Sequence, residues 1–470
     1  MIGRKKEQKE LKALCERDEA QFVVVYGRRR VGKTYLVRNV FSNQFTFQYT
    51  GAANVGNKEQ LAEFHRALLA QGLPDAKKPS NWFDAFAELA RLISTSSDEK
   101  KLIFIDEMPW MDAPNSRFVP ALEHFWNAFG SAQADVVLIV CASATSWIVK
   151  KIFRNRGGLH NRVTRQIYLK PFTLRECADY AASNKLMMTH DQIMETYMIM
   201  GGVPYYWSLL DGSMSVAQNV DALIFSDQGQ LHHEFEAMCE SMFNSPETYM
   251  RVIRALGEKK TGMVRSEIIS QAKMADNGVL TTILDDLESC GFIRKYSSIA
   301  LKTKDATYQL IDNFTLFYFR FLQEPEVSDP NRWSKMQNTP ACNTWRGLAF
   351  ERVCLLHEEQ IKAALGISGI LSGSYSWYWK GDEQYPRCQI DLLIDRADGV
   401  INLCEIKYSR DLFVADKNLV DEVQRKATIF AGRTKTRKAL HPVLITARTL
   451  LRNAYSDTFT NIVTGESLFA

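Results

Sequence analysis

Gly27-Arg-Arg-Arg-Val-Gly32-Lys33-Thr34 stands between an apolar, β-branched run, Gln21 to Tyr26, and a segment of helical character from Val31 to Phe41. The apolar run reads as a buried strand. The glycines let backbone N–H groups turn inward around an anion, and the following helix points its positive dipole end at the same place. The spacing GxxxxGK[ST] is that of a phosphate cradle. A turn with a chance Lys-Thr is the bland alternative, and the flanking strand and helix argue against it. In this reading Gly27, Arg28, Arg29, Arg30, Val31, Gly32 and Tyr35 line the phosphates of ATP. Lys33 reaches the outer phosphates, and the Thr34 hydroxyl binds Mg²⁺.

The chain beyond extends the same architecture. Strand-like runs at 45–49, 101–105, 136–140 and 165–169 alternate with helical segments at 58–71, 81–95 and 118–130. Alternation of this kind predicts an α/β fold with a parallel sheet. The run Lys101-Leu-Ile-Phe-Ile105 ends in Asp106-Glu107. Asp106 is expected to hold Mg²⁺ through water, and Glu107 to polarise the attacking water. Ser143, after the next strand, is in position to touch the γ-phosphate or that water. Arg162 or Arg165, before the last strand, is a candidate arginine finger or nucleotide sensor. An ordinary loop serine and a surface arginine are the competing readings.

Residues 172–240 look helical, with Gly201-Gly202-Val203-Pro204 as a breaker. Helices at 248–257, 264–271 and 278–290, then a hairpin of 292–296 and 307–310, have the order of a winged helix. Its third helix displays Asp285, Asp286 and Glu288, which repel a DNA backbone, so an interdomain role is expected there. Prolines and polar turn clusters mark a linker at 324–340. A long helix over 344–365, strands at 375–379, 389–395 and 400–408, a helix at 417–431 and a strand at 442–446 then give the order αβββαβ. The expected domains are a P-loop core (1–172), a helical lid (173–245), a winged helix (246–322), a linker (323–342) and a C-terminal domain (343–470).

Composition narrows the class further. The 470 residues are 46% hydrophobic and 24% charged, which excludes a disordered or collagen-like chain. Nine cysteines without a CxxC pair argue against a disulfide framework or zinc site and suit a reducing cytoplasm. The charged opening lacks the apolar core of a secretory signal, and no apolar stretch is long enough for a membrane span. The net charge of +4 is too small to imply nucleic acid by itself. Its distribution is uneven, however: residues 1–40 and 405–452 each hold eleven Lys/Arg against five Asp/Glu.

Gly3-Arg4 with Glu7, the run Tyr26 to Thr34, Ile105-Asp-Glu107, Lys170-Pro-Phe172 and Gly201-Gly-Val-Pro204 together resemble the archaeal-type ATPases, a branch of the AAA+/STAND-like P-loop ATPases. The likeness covers about residues 1–320. It implies that Ile2, Gly3 and Arg4 form the adenine-side loop and that Pro204 belongs to a Gly-x-Pro element between lid and winged helix. Tyr308 to Phe314 is similar to the family's stretch after the wing, with Asn313 where a proline is usual. Lone arginine fingers often act in trans, which leaves a homo-oligomer open.

A second site lies near the C-terminus. Glu405 and Lys407 are two apart on one strand and share a face, and Asp391 sits one hairpin earlier. An Asp and a Glu on neighbouring strands can bind Mg²⁺ or Mn²⁺ through oxygen, and the lysine can orient a water. Glu351, on the preceding helix, could complete the shell. A charged, exposed strand face is the alternative. With the αβββαβ order, these residues resemble the PD-(D/E)XK restriction-endonuclease-like superfamily, with Ile390 where a proline is common. The resemblance implies a metal-dependent nuclease acting on DNA, with Gln424 as an additional polar group. The basic run 433–438 could contact phosphates. A nucleotide switch whose C-terminal domain binds DNA or protein without cutting is the alternative function. A sequence-specific regulator working through the winged helix is the third.

Overall fold

The computed structural model describes residues 1–143, 145–153, 159, 161–243, 245–296, 306–323 and 329–470, and they fall into two units, Met1–Pro171 and Phe172–Ala470.

The first unit is built on five strands: β1 (Gln21–Tyr26), β2 (Phe47–Thr50), β3 (Lys101–Asp106), β4 (Val136–Ala142) and β5 (Arg165–Tyr168). They lie in the order β2-β3-β4-β1-β5, and every pairing is parallel. Gln21 pairs with Val137, and Val23 with Arg165. β1 shows why its sequence is apolar throughout. Phe22 and Val24 enter the core on one face of the sheet, and Val23 and Val25 enter the core on the other. A strand covered on both sides carries no polar alternation. The helices Asn57–Ala70, Trp82–Thr95 and Phe118–Ala128 bury their apolar stripes in the first of these cores, and Leu11, Leu14, Leu36 and Val37 fill the second.

The second unit opens with the helices Leu174–Ser183 and His190–Met200, each started by a threonine capping box, Thr173 with Glu176 and Thr189 with Gln192. Phe172 N–H donates to Gly202 O at 2.6 Å. A Cβ at position 202 would lie 1.9 Å from Phe172 O, so only glycine fits there. This contact joins the Lys170-Pro-Phe172 and Gly201-Gly-Val-Pro204 motifs. Helices Pro246–Glu258, Arg265–Gln271 and Gly278–Ser289 are followed by an antiparallel sheet of β6 (Met263–Val264), β7 (Ile293–Tyr296) and β8 (Thr307–Leu310) in the order β6-β8-β7. The acidic face expected on the third helix is only partly present. Asp286 is buried and accepts from Tyr249 Oη at 2.6 Å, because helical spacing turns position 286 inward with Ile283 and Leu287.

Residues 324–328 of the expected linker lie outside the described residues. The remainder is not a bare linker. Arg332–Met336 is helical, and Trp333 is fully buried among Phe317, Phe321 and Trp345. Asp221 fixes this turn by accepting from Trp333 N at 2.7 Å and Ser334 N at 3.1 Å.

The C-terminal sheet is mixed. β9 (Ser372–Trp379), β10 (Cys388–Arg396) and β11 (Val400–Lys407) run antiparallel in succession. A short β12 (Phe413–Val414) pairs with β14 (Leu450–Leu451), while β13 (Ala439–Thr446) and β15 (Asn461–Thr464) extend the main sheet in parallel to the order β15-β13-β11-β10-β9. The helix Lys417–Thr434 covers one face through Leu419, Val423 and Phe430. Helix Pro340–Leu356 supplies Ala349, Phe350 and Val353 to the core on the other. Among the described residues, no helix is long and apolar enough to cross a membrane.

The helix expected over 344–365 is two helices, Pro340–Leu356 and Glu358–Ala364, broken at His357. The buried His357 ring accepts from Leu174 N–H at Nε2, 3.0 Å, and faces Val353 O through Nδ1 at 2.8 Å. Burial pushes its pKa down to about 4. A histidine with a depressed folded pKa contributes stability that is present above its unfolded pKa near 6.5 and lost as pH falls toward 4, roughly 3 kcal/mol in all. Glu351, pushed up to about 7 first by burial and then by Asp391, has the opposite sign, losing stability as pH rises from its ordinary range through 7. His357→Gln is therefore expected to flatten the acid side of the stability profile relative to the parent chain, since Glu351 cancels in that comparison. Urea midpoints at pH 7 and 5 check it.

Candidate functional site

The loop between β1 and the helix Lys33–Val40 carries two kinds of constraint. Gly27 has φ 147°, and a Cβ there would lie 2.4 Å from Leu169 O at the end of β5. Arg30 has φ 139°, a conformation that costs a non-glycine residue on the order of 1–3 kcal/mol and that clusters at functional loops. Lys33 is buried, and its Nζ donates to Gly27 O at 3.0 Å and Arg28 O at 2.9 Å. Its charge is thus held inside the loop it belongs to.

Thr34 Oγ1 donates to Asp106 Oδ2 at 2.6 Å, and Glu107 N–H donates to Asp106 Oδ1 at 3.0 Å. β4 separates β1 from β3, yet the parallel register brings the carboxyl ends of all three strands to one edge. Glu107, at φ 51°, points its carboxylate toward the end of β4, where Oε2 accepts from Ser143 Oγ at 2.8 Å and Ser143 N–H at 3.2 Å. Ser143 therefore holds Glu107, a role the sequence reading missed when it assigned the serine to phosphate or water.

Arg4 is buried at φ 56° and donates through Nη2 to Lys170 O at 2.5 Å and Val31 O at 3.4 Å. The structure thus brings Arg4 to the P-loop, with Gly3 O fixed by Gln8 Nε2 at 2.7 Å and Ile2 half-buried beside it in sequence. Arg28 is buried, Arg29 and Arg30 are half-buried, and Val31 is in the core. Tyr35 is 61% exposed, on the outer face of its helix. Arg165 is corrected: its guanidinium pairs with Glu10 of the helix Lys5–Cys15, because β5 turns that side chain toward this helix. Arg162 is exposed in the turn before β5. Pro204 starts the helix Pro204–Ser208 in the second unit.

A nucleoside triphosphate with Mg²⁺ fits this first site. The P-loop backbone and Lys33 would hold the phosphates, and Thr34 and Asp106 the ion, which supplies charge neutralisation on the phosphate oxygens. Glu107, held by Ser143, is the carboxylate available to orient a water.

In the second unit, Asp391 occupies a β-bulge. The β9–β10 register shifts between Ile390 and Leu393, and the β10–β11 ladder ends at Leu392↔Cys404, one step before Asp391 and Glu405. Bulges re-aim side chains and recur beside active sites. Asp391 Oδ1 accepts from Gln389 Nε2 at 2.6 Å. Glu351 responds electrostatically to both Asp391 and Glu405, so the three carboxylates form one field.

Glu405 is buried and fully engaged. Oε1 meets Lys407 Nζ at 2.9 Å and Oε2 meets Lys426 Nζ at 2.7 Å. Glu422 closes the group, 3.1 Å from Lys426 and 3.5 Å from Lys407. Burial opposes both ammonium charges, but Glu405 and Glu422 hold the two lysines above their ordinary pKa. Glu405 is thus engaged by two lysines and not paired directly with Asp391. Among the described residues, no three His, Cys, Asp or Glu side chains are grouped to hold an ion, and lysines take both Glu405 oxygens. Gln424 is exposed, and Lys426 takes the inward position expected of it. The signal was present in the sequence: Lys426 falls in the apolar stripe of Leu419, Val423 and Phe430.

Residues 1–210 match the family described as an ATPase domain predominantly from Archaea. An uncharacterized protein of Methanocaldococcus jannaschii is 24% identical over 443 residues, covering 90% of this chain and 91% of that one. The Walker-type ATPase of Pyrococcus abyssi is similar with a TM-score of 0.48 and 16% identity, over 68% of this chain and 96% of that one. The ORC2 protein of Aeropyrum pernix, in ADPNP–ADP complexes, is similar with a TM-score of 0.43 and 14% identity, over 72% and 95% of the two chains. The family match and the geometry around Lys33, Thr34 and Asp106 fall in the same stretch, residues 1–210, which is similar to that ATPase domain.

Proposed function

We propose that this chain hydrolyses ATP with Glu107 as the water-orienting carboxylate and couples its nucleotide state to a nuclease-like C-terminal domain acting on DNA. The division into core (1–172), lid (173–245), winged helix (246–322), connecting segment (323–342) and C-terminal domain (343–470) belongs to this reading, as do a cytoplasmic location, a nucleotide role for Pro204 and an Arg162 finger acting in trans in an oligomer. One observation carries the nuclease-like part. Asp391 lies on a bulge next in register to Glu405, inside a mixed αβββαβ sheet, with Glu351 sharing its field and Lys407 paired to Glu405. The basic excess over residues 405–452 suits a polyanionic partner.

The purified chain is to be incubated with single- and double-stranded DNA and RNA, Mg²⁺ or Mn²⁺, with and without ATP. Asp391→Ala is expected to lower cleavage by at least about 100-fold while sparing ATP hydrolysis. Cleavage retained in that variant would overturn the nuclease reading. The pairing of Glu405 with two lysines favours a second reading, a nucleotide switch that binds without cutting. Its signature is ATP hydrolysis with nucleotide-dependent DNA or protein binding and no cleavage under any condition.

A further inference from the structure

A continuous run of hydrogen bonds joins the β6–β8 sheet to the C-terminal sheet. Arg294, on β7, donates through Nε to Gln309 Oε1 at 2.7 Å and through Nη2 to Ser376 Oγ at 2.6 Å. Gln309 Nε2 donates to Lys260 O at 2.7 Å, and Arg352 Nη2 donates to the same carbonyl at 2.5 Å. The guanidinium of Arg294 lies 4.7 Å from the Tyr296 ring centre, and the Tyr296 hydroxyl donates to Thr261 O at 2.5 Å. Gln309, Arg352 and Ser376 are buried.

The run ends on the bulge. Ile390 pairs with Trp377 and Leu393 with Tyr375, so Asp391 and Leu392 together face Ser376 on β9. Ser376 Oγ donates to Asp391 O at 2.5 Å. A serine hydroxyl has one hydrogen. Because Arg294 donates into that oxygen, the hydrogen is directed to the Asp391 carbonyl. A bulged carbonyl that lacks its regular ladder partner thereby gains a buried one.

We propose that Arg294 is a positioning residue for Asp391: the winged helix, acting through Ser376, fixes the bulge that aims this aspartate. The inference rests on the reading of the Asp391 cluster as the working site of the C-terminal domain. It makes that site composite, since residues 343–470 alone lack the arginine that orders it.

The test uses the full chain and two readouts. In hydrogen-exchange measurements, Arg294→Ala and Ser376→Ala are each expected to speed exchange of residues 389–393 about tenfold, the factor for one lost buried hydrogen bond. The double variant should add little to either. Ser376→Thr keeps the hydroxyl and should restore protection, whereas Lys295→Ala, an exposed neighbour on β7, should behave as the parent. Unchanged exchange at 389–393 in both alanine variants would overturn the inference. If Arg294→Ala loosens the whole second unit, the contrast between Ser376→Ala and Ser376→Thr decides. In cleavage assays the alanine variants should lose kcat with KM for DNA unchanged, and an equal loss in Lys295→Ala would count against a specific role. The exchange arm is independent of cutting, so an inactive parent chain would overturn the nuclease reading while exchange still decides the role of Arg294.

Discussion

Lys33→Ala is expected to lower ATP hydrolysis by roughly 100–1000-fold, the range for removing one preorganised charge from a reacting phosphate. The lysine is the first residue of its helix, buried, with two loop carbonyls fixing its ammonium. Alanine preserves the helix start and removes only the charge and its reach. The fold should survive, and both nucleotide affinity and turnover should fall. Glu107→Gln separates the two effects. It keeps an acceptor for Ser143 but removes the carboxylate charge, so hydrolysis should fall while ATP binding stays within a few-fold of the parent. Phosphate release and a fluorescent-nucleotide titration measure both. A Lys33→Ala rate within tenfold of the parent would show that the loop is not the catalytic cradle.

Trp333→Ala should have the largest effect on stability, a loss of about 3–5 kcal/mol. The indole is fully buried, with ring centres of Phe317 at 5.0 Å, Phe321 at 5.3 Å and Trp345 at 5.6 Å. The guanidinium of Arg346 lies 5.9 Å from the same ring, and Asp221 caps the turn through Trp333 N–H. Truncation opens a cavity whose walls belong to two helices, Asn313–Phe321 and Pro340–Leu356, that cannot both close on it. Urea denaturation followed by tryptophan fluorescence gives the change. A loss under about 1 kcal/mol would mean that residues 332–336 do not anchor the second unit.

These two sites mark how far local sequence carries. The P-loop was legible because its chemistry is contiguous: strand, glycines, Lys33 and Thr34 lie within fourteen residues, Gln21 to Thr34. Asp106 was legible because a buried strand that ends in a carboxylate has few other uses. Trp333 was not, since a tryptophan among prolines and turn residues looks the same whether its partners are present or absent. Ser143, Lys426 and Arg294 share that difficulty in another form. Each acts on a residue 36, 21 or 82 positions away, through contacts with Glu107, Glu405 or Ser376. Residue type announced their chemistry, but only strand register and helix facing chose the recipient. Arg165 failed for the same reason, because its place beside the last strand said nothing about Glu10 across from it.

The strand order of the first unit also sets a timetable for synthesis. β1 leaves the ribosome early, but the strands that pair with it begin only at Val136 and Arg165. At roughly 5–20 residues per second, Phe22 to Val25 wait on the order of ten seconds or more for the strands that pair along both of their edges. Non-local parallel pairing of this kind is slow and exposed to aggregation. The nascent chain therefore passes through a stage in which this apolar strand is complete and unpaired, and shielding by a chaperone at that stage should raise the yield of folded protein more than any stabilisation of the finished sheet.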